Sequence, residues 1–315
     1  MEFTINTLFE STAKPRTSNL LGAFSIIPLF NPSQPVHEYT TFTECYGNTN
    51  TVTISEIEDG ASVNDLILTN STDQYLLLID GEELVGAKQN RAINTTIMAE
   101  PNSKITIPVT CTEAGRWSQT YASFEDSGVV LPYSVRCRKK TTVDESLREI
   151  GEHVSDQGMM WDRMDAKLNR SSVSAETRAM NDMYRARGLE MGAFLDVVPW
   201  EPGQTGLAVY IRDQIAGIEM FSRAEACKSL YPKILQSYAL DAISEKPVSG
   251  NSYGASSVGE FMLRCGDITP ERYESVGIGW DYRYESADIT GSALVYNGEV
   301  IHTSFYNCSL AEAML

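Results

Sequence analysis

The stretch from Gln74 to Cys111 reads QYLLLIDGEELVGAKQNRAINTTIMAEPNSKITIPVTC and decides the first half of the fold. Three runs within it, QYLLLI, RAINTTIMA and SKITIPVTC, have the short length and the β-branched and aromatic content typical of strands. Between the first two runs, DGEELVGAKQNR carries two glycines, two glutamates and two basic residues. That segment is either a solvated loop or a built site.

The same β pattern extends outward from about Leu20 to Arg138, with Gly, Pro, Asn and Asp between short apolar runs. It predicts an antiparallel β-sandwich or barrel-like domain, which we place at residues 1–140. We expect a helical insertion or bridge over 141–190 and an α+β domain over 191–315.

The middle segment has apolar residues at nearly helical spacing from Thr141 to Gly188. Thr142 and Glu145 form a capping-box pattern, so a helix is predicted to begin at Thr141. We expect one or two amphipathic helices in this segment.

The last third predicts an antiparallel sheet with one long helix. Residues 206–221 read as a hairpin with its turn near Asp213, and Asn297-Gly298 is a strong signal for a second hairpin turn. SVGEFMLRCG and three later runs read as strands. The fold class is therefore α+β.

The long helix is predicted to follow residue 221. Ser222 and Glu225 form a second capping-box pattern, and apolar residues then recur at helical spacing up to Ile243. Pro232 is expected to kink or break this helix, because proline lacks a backbone N–H.

Composition excludes several classes of function. The 315 residues carry a formal net charge of −17, and such a surface repels nucleic acid and anionic membranes. No apolar run approaches the roughly 20 residues of a membrane span, and the N-terminus lacks a signal-peptide pattern. The six cysteines form no CxxC pair, so reduced thiols and a cytoplasmic location are expected.

Familiar motifs are missing from the sequence. The three histidines have no zinc-site spacing, and there is no glycine-rich dinucleotide fingerprint or P-loop. No metal is predicted, and no cofactor can be named.

The candidate site comes from pairing two nine-residue runs, 91–99 and 103–111. Simple antiparallel pairing puts Arg91 near Cys111, and thereby brings DGEELVGAKQNR close to the following CTEAGRW. The predicted ligand-binding residues are Lys88, Asn90, Arg91, Asn94, Arg116 and Trp117. The predicted catalytic residues are Glu82, Glu83 and Glu113.

These residue types suit a phosphorylated, nucleoside-like molecule. Basic side chains bind phosphate, a tryptophan face stacks on a flat ring, and carboxylates bind ribose hydroxyls or act as general bases. The competing interpretation is that the charges pair on the surface and that the tryptophan is part of the core.

The runs DGEELVGAKQNRAINTTIM, ITIPVTCTEAGRW and GIEMFSRAEACKSLYPKILQSYALDA resemble the family of ARG and rhodanese-phosphatase-superfamily-associated proteins, first type. ARG here means ADP-ribosylglycohydrolase. The resemblance spans about Leu20 to Tyr306. It implies an association with NAD and ADP-ribose processing, but it supplies no catalytic mechanism.

Three functions follow as hypotheses. The first is a protein that binds, and processes, an NAD-derived or ADP-ribose-like nucleotide. The second is a non-catalytic nucleotide sensor or sponge, and the third is a structural module that binds other proteins. Homo-oligomer formation, and a part for Tyr238 and Asp241 in the site, are left open.

Overall fold

A computed structural model describes residues 24–31, 33–45, 51–57, 63–115, 123–171, 178–243 and 255–314, without the side chains of 171 and 255–257. The elements in these ranges fall into three sheets and eight helices. The α+β class and the β-rich first half are confirmed.

The largest sheet is antiparallel and has seven strands in the order β1-β11-β12-β16-β15-β14-β13. Its first strand comes from the N-terminal region and pairs with β11, so the two parts of the chain share this sheet. The strands are β1 (Phe24–Leu29), β11 (Gly206–Ile211), β12 (Gln214–Phe221), β13 (Glu271–Glu274), β14 (Trp280–Glu285), β15 (Ile289–Tyr296) and β16 (Glu299–Asn307).

Both hairpin predictions for this sheet are confirmed. The β11–β12 connection is Arg212-Asp213, and the β15–β16 turn is Asn297-Gly298. Asn297 and Gly298 have φ of 48° and 84°, which is the left-handed region that this turn requires.

Six further strands close into a barrel in the order β10-β3-β4-β9-β7-β6. Its interior is apolar and includes Ile54, Leu68, Leu84, Ile93 and Val109. The strands are β3 (Val52–Glu56), β4 (Asp65–Asn70), β6 (Glu82–Gly86), β7 (Arg91–Ile93), β9 (Ser103–Cys111) and β10 (Phe124–Val130). The predicted pairing of Arg91 with Cys111 is present in the β7–β9 ladder.

A small third sheet has the strand order β2-β5-β8, and its strands are interspersed in sequence with those of the barrel. It contains β2 (Tyr39–Thr41), β5 (Tyr75–Leu78) and β8 (Ile97–Ala99), with β2 and β5 parallel. The segment before β14 contacts this sheet closely, because Ile278 donates its N–H to the carbonyl of Met98 at 2.9 Å.

The helices pack against these sheets, and the long α6 lies in the main apolar core. They are α1 (Phe42–Cys45), α2 (Tyr133–Ile150), α3 (Gln157–Ser171), α4 (Met180–Ala186), α5 (Gly188–Val197), α6 (Ala224–Ala242), α7 (Ala255–Gly266) and α8 (Cys308–Ala313). None of the helices in the described ranges is long and apolar enough to cross a membrane.

Several details of the helices differ from the sequence predictions. Helix α2 begins at Tyr133, eight residues before Thr141, and its first turns bury the charged Arg136 and Lys139 together with apolar side chains. The run SVGEFMLRCG is part of helix α7, not a strand. Its buried residues Val258, Phe261, Met262 and Cys265 follow a helical spacing that the short run concealed.

The capping box predicted for α6 is not formed. The Ser222 hydroxyl instead contacts the Tyr39 hydroxyl at 3.0 Å, and α6 begins at Ala224 with no side-chain cap. The helix also runs through Pro232 to Ala242, so the proline does not end it.

Helix α2 is held by charges that are fully buried. Arg136 forms a bidentate pair with Glu219 of β12, with Nη1–Oε1 and Nη2–Oε2 distances of 2.7 and 3.2 Å. Lys139 and Lys140 both pair with Asp80, which follows β5. Burial alone would raise the pKa of Asp80, but the two lysines outweigh it and hold that pKa well below its usual range. The network therefore joins the barrel region to the seven-stranded sheet through one helix.

The start of α2 is stabilised from α6. The carboxylate of Asp241 accepts the backbone N–H of Ser134 at 2.8 Å and the Ser134 hydroxyl at 3.0 Å. A helix N-terminus has N–H groups without intrahelical partners, and an anion there is favourable. Asp241 and the buried Tyr238, which stacks on Tyr133 at 5.1 Å, thus belong to the packing of α2 on α6.

We expect Asp80→Asn to lower the free energy of unfolding by about 3–5 kcal/mol, because it leaves two buried lysines without their counter-charge. Urea denaturation at neutral pH measures this change. The matched control is Glu312→Gln, which breaks the exposed pair with Arg163 and should cost less than about 1 kcal/mol. Equal effects of the two substitutions would contradict the importance of the network.

Candidate functional site

The two predicted glutamates of β6 point to opposite faces of the strand, because side chains alternate along β-structure. Glu82 and Glu83 are both buried. They therefore enter different environments, although they are neighbours in sequence.

Glu82 is part of a buried ion-pair group with α6 and β10. Its Oε1 lies 2.8 Å from Lys233 Nζ, and the same lysine lies 2.7 Å from Asp126 Oδ1. Oε2 accepts the N–H of Ile79 at 2.8 Å. Burial opposes the charge of Lys233, but the two carboxylates outweigh it and raise the pKa of the lysine. Through these contacts, Glu82 holds β6 against α6.

Glu83 is bound by neutral groups. Thr112 Oγ1 donates to its Oε1 at 2.8 Å, and Asn181 Nδ2 donates to its Oε2 at 3.0 Å. Asn181 lies on α4, whose first residue donates its N–H to the carbonyl of Thr112 at 3.0 Å. The end of β9 and the start of α4 are thus fixed to each other and to this carboxyl group.

Glu113 and Asn90 complete this cluster. The carboxylate of Glu113 accepts the N–H of Asn90 at 3.2 Å, and the Asn90 carbonyl accepts the N–H of Thr112 at 3.0 Å. We call Glu83, Asn90, Thr112, Glu113 and Asn181 the carboxyl cluster. Each of its members is at most 6% exposed.

The environment raises the pKa of Glu83 to about 7, mainly because burial disfavours the charged carboxylate. The hydrogen bonds from Thr112 and Asn181 oppose this rise, and the nearby charge of Glu113 adds to it. A carboxyl group with this pKa exchanges a proton near neutral pH, which is the property that a general acid or base requires.

Arg91 lies on the other face of the barrel wall from Glu83. In the ladders, Leu84, Arg91 and Cys111 are opposite one another, whereas Glu83 is opposite Ala92. Leu84 belongs to the barrel interior, so Arg91 faces the interior at the end of the strands. Its Nη1 donates to Gln89 Oε1 at 3.2 Å and to the Asn90 carbonyl at 3.3 Å.

The remaining predicted ligand-binding residues are dispersed. The Lys88 side chain is 55% exposed and pairs with Glu56, with Nζ–Oε2 at 3.4 Å. Asn94 is buried beside the α2 network, where its Nδ2 donates to the His153 carbonyl at 3.0 Å. Arg116 and Trp117 lie outside the described residues. Of the predicted set, the structure brings together Glu83, Asn90 and Glu113.

Sequence reasoning missed Thr112 and Asn181, which contact Glu83 directly. Thr112 stands next to Glu113 in the quoted CTEAGRW run, so its position in that run was an available signal. Asn181 is 98 residues from Glu83, and no local pattern connects the two.

A cavity of about 250 Å³ lies away from the carboxyl cluster, at the β15–β16 turn. Its lining includes Asn31, Ser33, Asn297 and Glu299, and the described lining residues include no lysine or arginine. A phosphate group would therefore have no basic side chain from this lining. Glu299 is also engaged, because it accepts the His37 Nδ1–H at 2.6 Å.

Together the fold and the carboxyl cluster define an α+β protein with a closed six-stranded barrel and a buried, protonatable glutamate on its wall. Residues 14–306 match the model of the ARG and Rhodanese-Phosphatase-superfamily-associated Protein domain, ARPP-1. The chain belongs to this family, as its sequence motifs predicted. Comparisons with curated proteins and with solved structures find no match.

We expect Glu83→Gln to gain stability relative to the native protein as pH rises from 5 to 8. With a folded pKa near 7 and an ordinary value of 4.5, the native protein binds more protons than the unfolded chain in this window, so it loses stability there. The full difference is about 3 kcal/mol. Urea denaturation across this pH range measures it.

The control for this experiment is Glu100→Gln, which removes an exposed carboxylate. If Glu83→Gln and Glu100→Gln show the same dependence on pH, the assignment of a raised pKa to Glu83 is wrong.

Proposed function

We propose that this protein binds and processes an NAD-derived or ADP-ribose-like nucleotide, with Glu83 as the group that transfers the proton. The observation that carries the proposal is a buried carboxyl group with a pKa near 7 that accepts hydrogen bonds from two neutral side chains, Thr112 and Asn181. Strongly perturbed groups of this kind concentrate at functional sites.

The contact partners distinguish Glu83 from three other buried carboxylates. Asp80, Glu82 and Glu219 each contact a lysine or an arginine. A cation repays part of the cost of burying a carboxylate, so these residues serve the fold. Glu83 instead has amide and hydroxyl donors, and burial raises its pKa to about 7.

The proposed ligand follows from the family and from the residues around the cluster. The family name associates these proteins with ADP-ribosylglycohydrolase, whose substrate class carries ribose hydroxyls and phosphates. Glu113 and Asn90 offer an acceptor and an amide next to Glu83, and Arg91 supplies a guanidinium one strand position away on the opposite face. Because these groups are buried, we propose that binding moves the side chains that cover them.

In the catalytic form of the proposal, the Glu83 carboxylate accepts a proton from an attacking water or hydroxyl group. Positioned general bases contribute about 10²–10⁴-fold to a rate. The non-catalytic alternative keeps the binding groups and has no turnover. It is favoured by the enclosure of the cluster, which leaves each member at most 6% exposed.

The first experiment separates these forms. The protein is mixed with NAD, ADP-ribose and cyclic derivatives, affinity is measured by calorimetry, and products are sought by mass spectrometry. We expect Glu83→Gln to lower turnover at least about 10²-fold while the protein still binds the nucleotide. Binding without any product from the native protein would support the sensor or sponge instead.

The second experiment tests nucleotide recognition itself. We expect Arg91→Ala and Arg116→Ala to weaken nucleotide affinity, because each removes a guanidinium suited to phosphate. The matched control is Lys104→Ala, which removes an exposed cation from β9. If both arginine variants bind as tightly as the native protein, the enzyme and the sensor hypotheses fail together.

A further inference from the structure

Two cysteines that are distant in sequence face each other across α2 and α8. Cys137 lies in the second turn of α2, and Cys308 is the first residue of α8. Their sulfur atoms are 3.4 Å apart, with the Cys137 thiol donating to Cys308 Sγ. The two residues are separated by 171 positions, so the contact is produced by the fold.

The two thiols differ in exposure and in acidity. Cys137 is buried, whereas Cys308 is partly exposed. The hydrogen bond from Cys137 lowers the pKa of Cys308, and the same bond raises that of Cys137. Thiolate character therefore concentrates on the sulfur that solvent can reach, which is the arrangement of a nucleophilic cysteine with a resolving partner.

Two other buried thiols contrast with this pair. Burial raises the pKa of Cys227 and of Cys265, and both lie in apolar clusters. Such thiols are inert toward oxidants, because the thiolate is the reactive form. Oxidation should therefore select Cys308 over these two.

The backbone around Cys308 is fixed by neighbouring hydrogen bonds. The Tyr133 hydroxyl of α2 donates to the Asn307 carbonyl at 2.6 Å, and the Asn307 side chain caps α8 by accepting the Leu310 N–H at 3.1 Å. The sulfur of Cys308 is thus held beside Cys137. A disulfide requires the two sulfur atoms to approach from 3.4 Å to roughly 2.05 Å.

We propose that Cys137 and Cys308 form a reversible disulfide and are a site of oxidation by hydrogen peroxide. The Cys308 thiolate attacks one peroxide oxygen, the O–O bond breaks, and one water leaves after protonation. The resulting sulfenic acid is attacked by the sulfur of Cys137. The S–S bond forms as the second oxygen leaves as water, so two thiols lose two electrons and two protons to one peroxide.

The consequence of this bond is a covalent link between α8 and the helix that carries Arg136, Lys139 and Lys140. Before oxidation, α8 is attached to α2 by non-covalent contacts such as the Tyr133 hydrogen bond. After oxidation, the free chain between the two positions is closed into a loop, which restricts the unfolded state. This proposal does not depend on the proposed nucleotide function.

The test uses the full chain treated with hydrogen peroxide. We expect the loss of two thiols per chain by thiol titration and a mass decrease of about 2 Da, both reversed by dithiothreitol. Non-reducing digestion with chymotrypsin should give one peptide pair that links Cys137 to Cys308. Trypsin is unsuitable, because Arg136 and Arg138 flank Cys137.

Two serine variants provide the matched comparison. Cys308→Ser should abolish the linked peptide and the loss of two thiols, whereas Cys265→Ser should retain both. Circular dichroism verifies that each variant is folded. The peptide map of the native protein tests the Cys137–Cys308 link directly, even if a variant fails to fold. A link between other cysteines, or conversion of Cys308 to sulfinic or sulfonic acid without a link, would overturn the proposal.

Discussion

The pairing of the α2 cations with buried carboxylates is the constraint on which the rest of the structure depends. Arg136, Lys139 and Lys140 lie within two turns of one helix and have no solvent exposure. Each requires an anion, and the anions come from different parts of the chain, with Asp80 after β5 and Glu219 on β12. A displacement of α2 would leave several charges unpaired in the interior, so this interaction fixes the barrel and the seven-stranded sheet relative to each other.

The same constraint reaches the carboxyl cluster through two residues. Gly81 follows Asp80 directly, has φ of 86°, and lies so close to Arg136 that a Cβ atom would be 3.0 Å from its side chain. Glycine is therefore required for both the backbone angle and the approach. Strand β6 begins at the next residue, so the network sets where Glu82 and Glu83 leave the turn. The network and the candidate site are adjacent in sequence and have separate roles.

The sequence was informative where structure follows local periodicity. The strands on both sides of DGEELVGAKQNR, the two hairpin turns, the helix after residue 221 and the pairing of Arg91 with Cys111 were predicted from alternation, turn residues and run length. It was uninformative where tertiary contacts override local pattern. The first turns of α2 contain charged side chains that are buried. Their partners lie 59 and 83 residues away in sequence, so no local pattern reveals this burial.

The candidate site shows the same division. Glu83, Asn90 and Glu113 could be selected because they lie in two short distinctive runs joined by one predicted hairpin. Asn181 could not, since it approaches from a separate helix. Nor could the sequence assign different roles to Glu82 and Glu83. Their roles depend on which element packs against each face of β6, since Glu82 contacts Lys233 and Glu83 contacts neutral donors.

The position of β1 has a consequence for synthesis of the chain. This strand pairs with β11 in a register that joins Phe24 to Ile211, so its partner is made about 180 residues later. At a typical rate of roughly 5–20 residues per second, β1 leaves the ribosome many seconds before any native edge exists for it. Its run FSIIPL is apolar and entirely buried in the final fold. During that interval its apolar side chains and backbone hydrogen-bonding groups lack their native partners. Shortened forms of this protein that end before β11 should therefore be prone to aggregation.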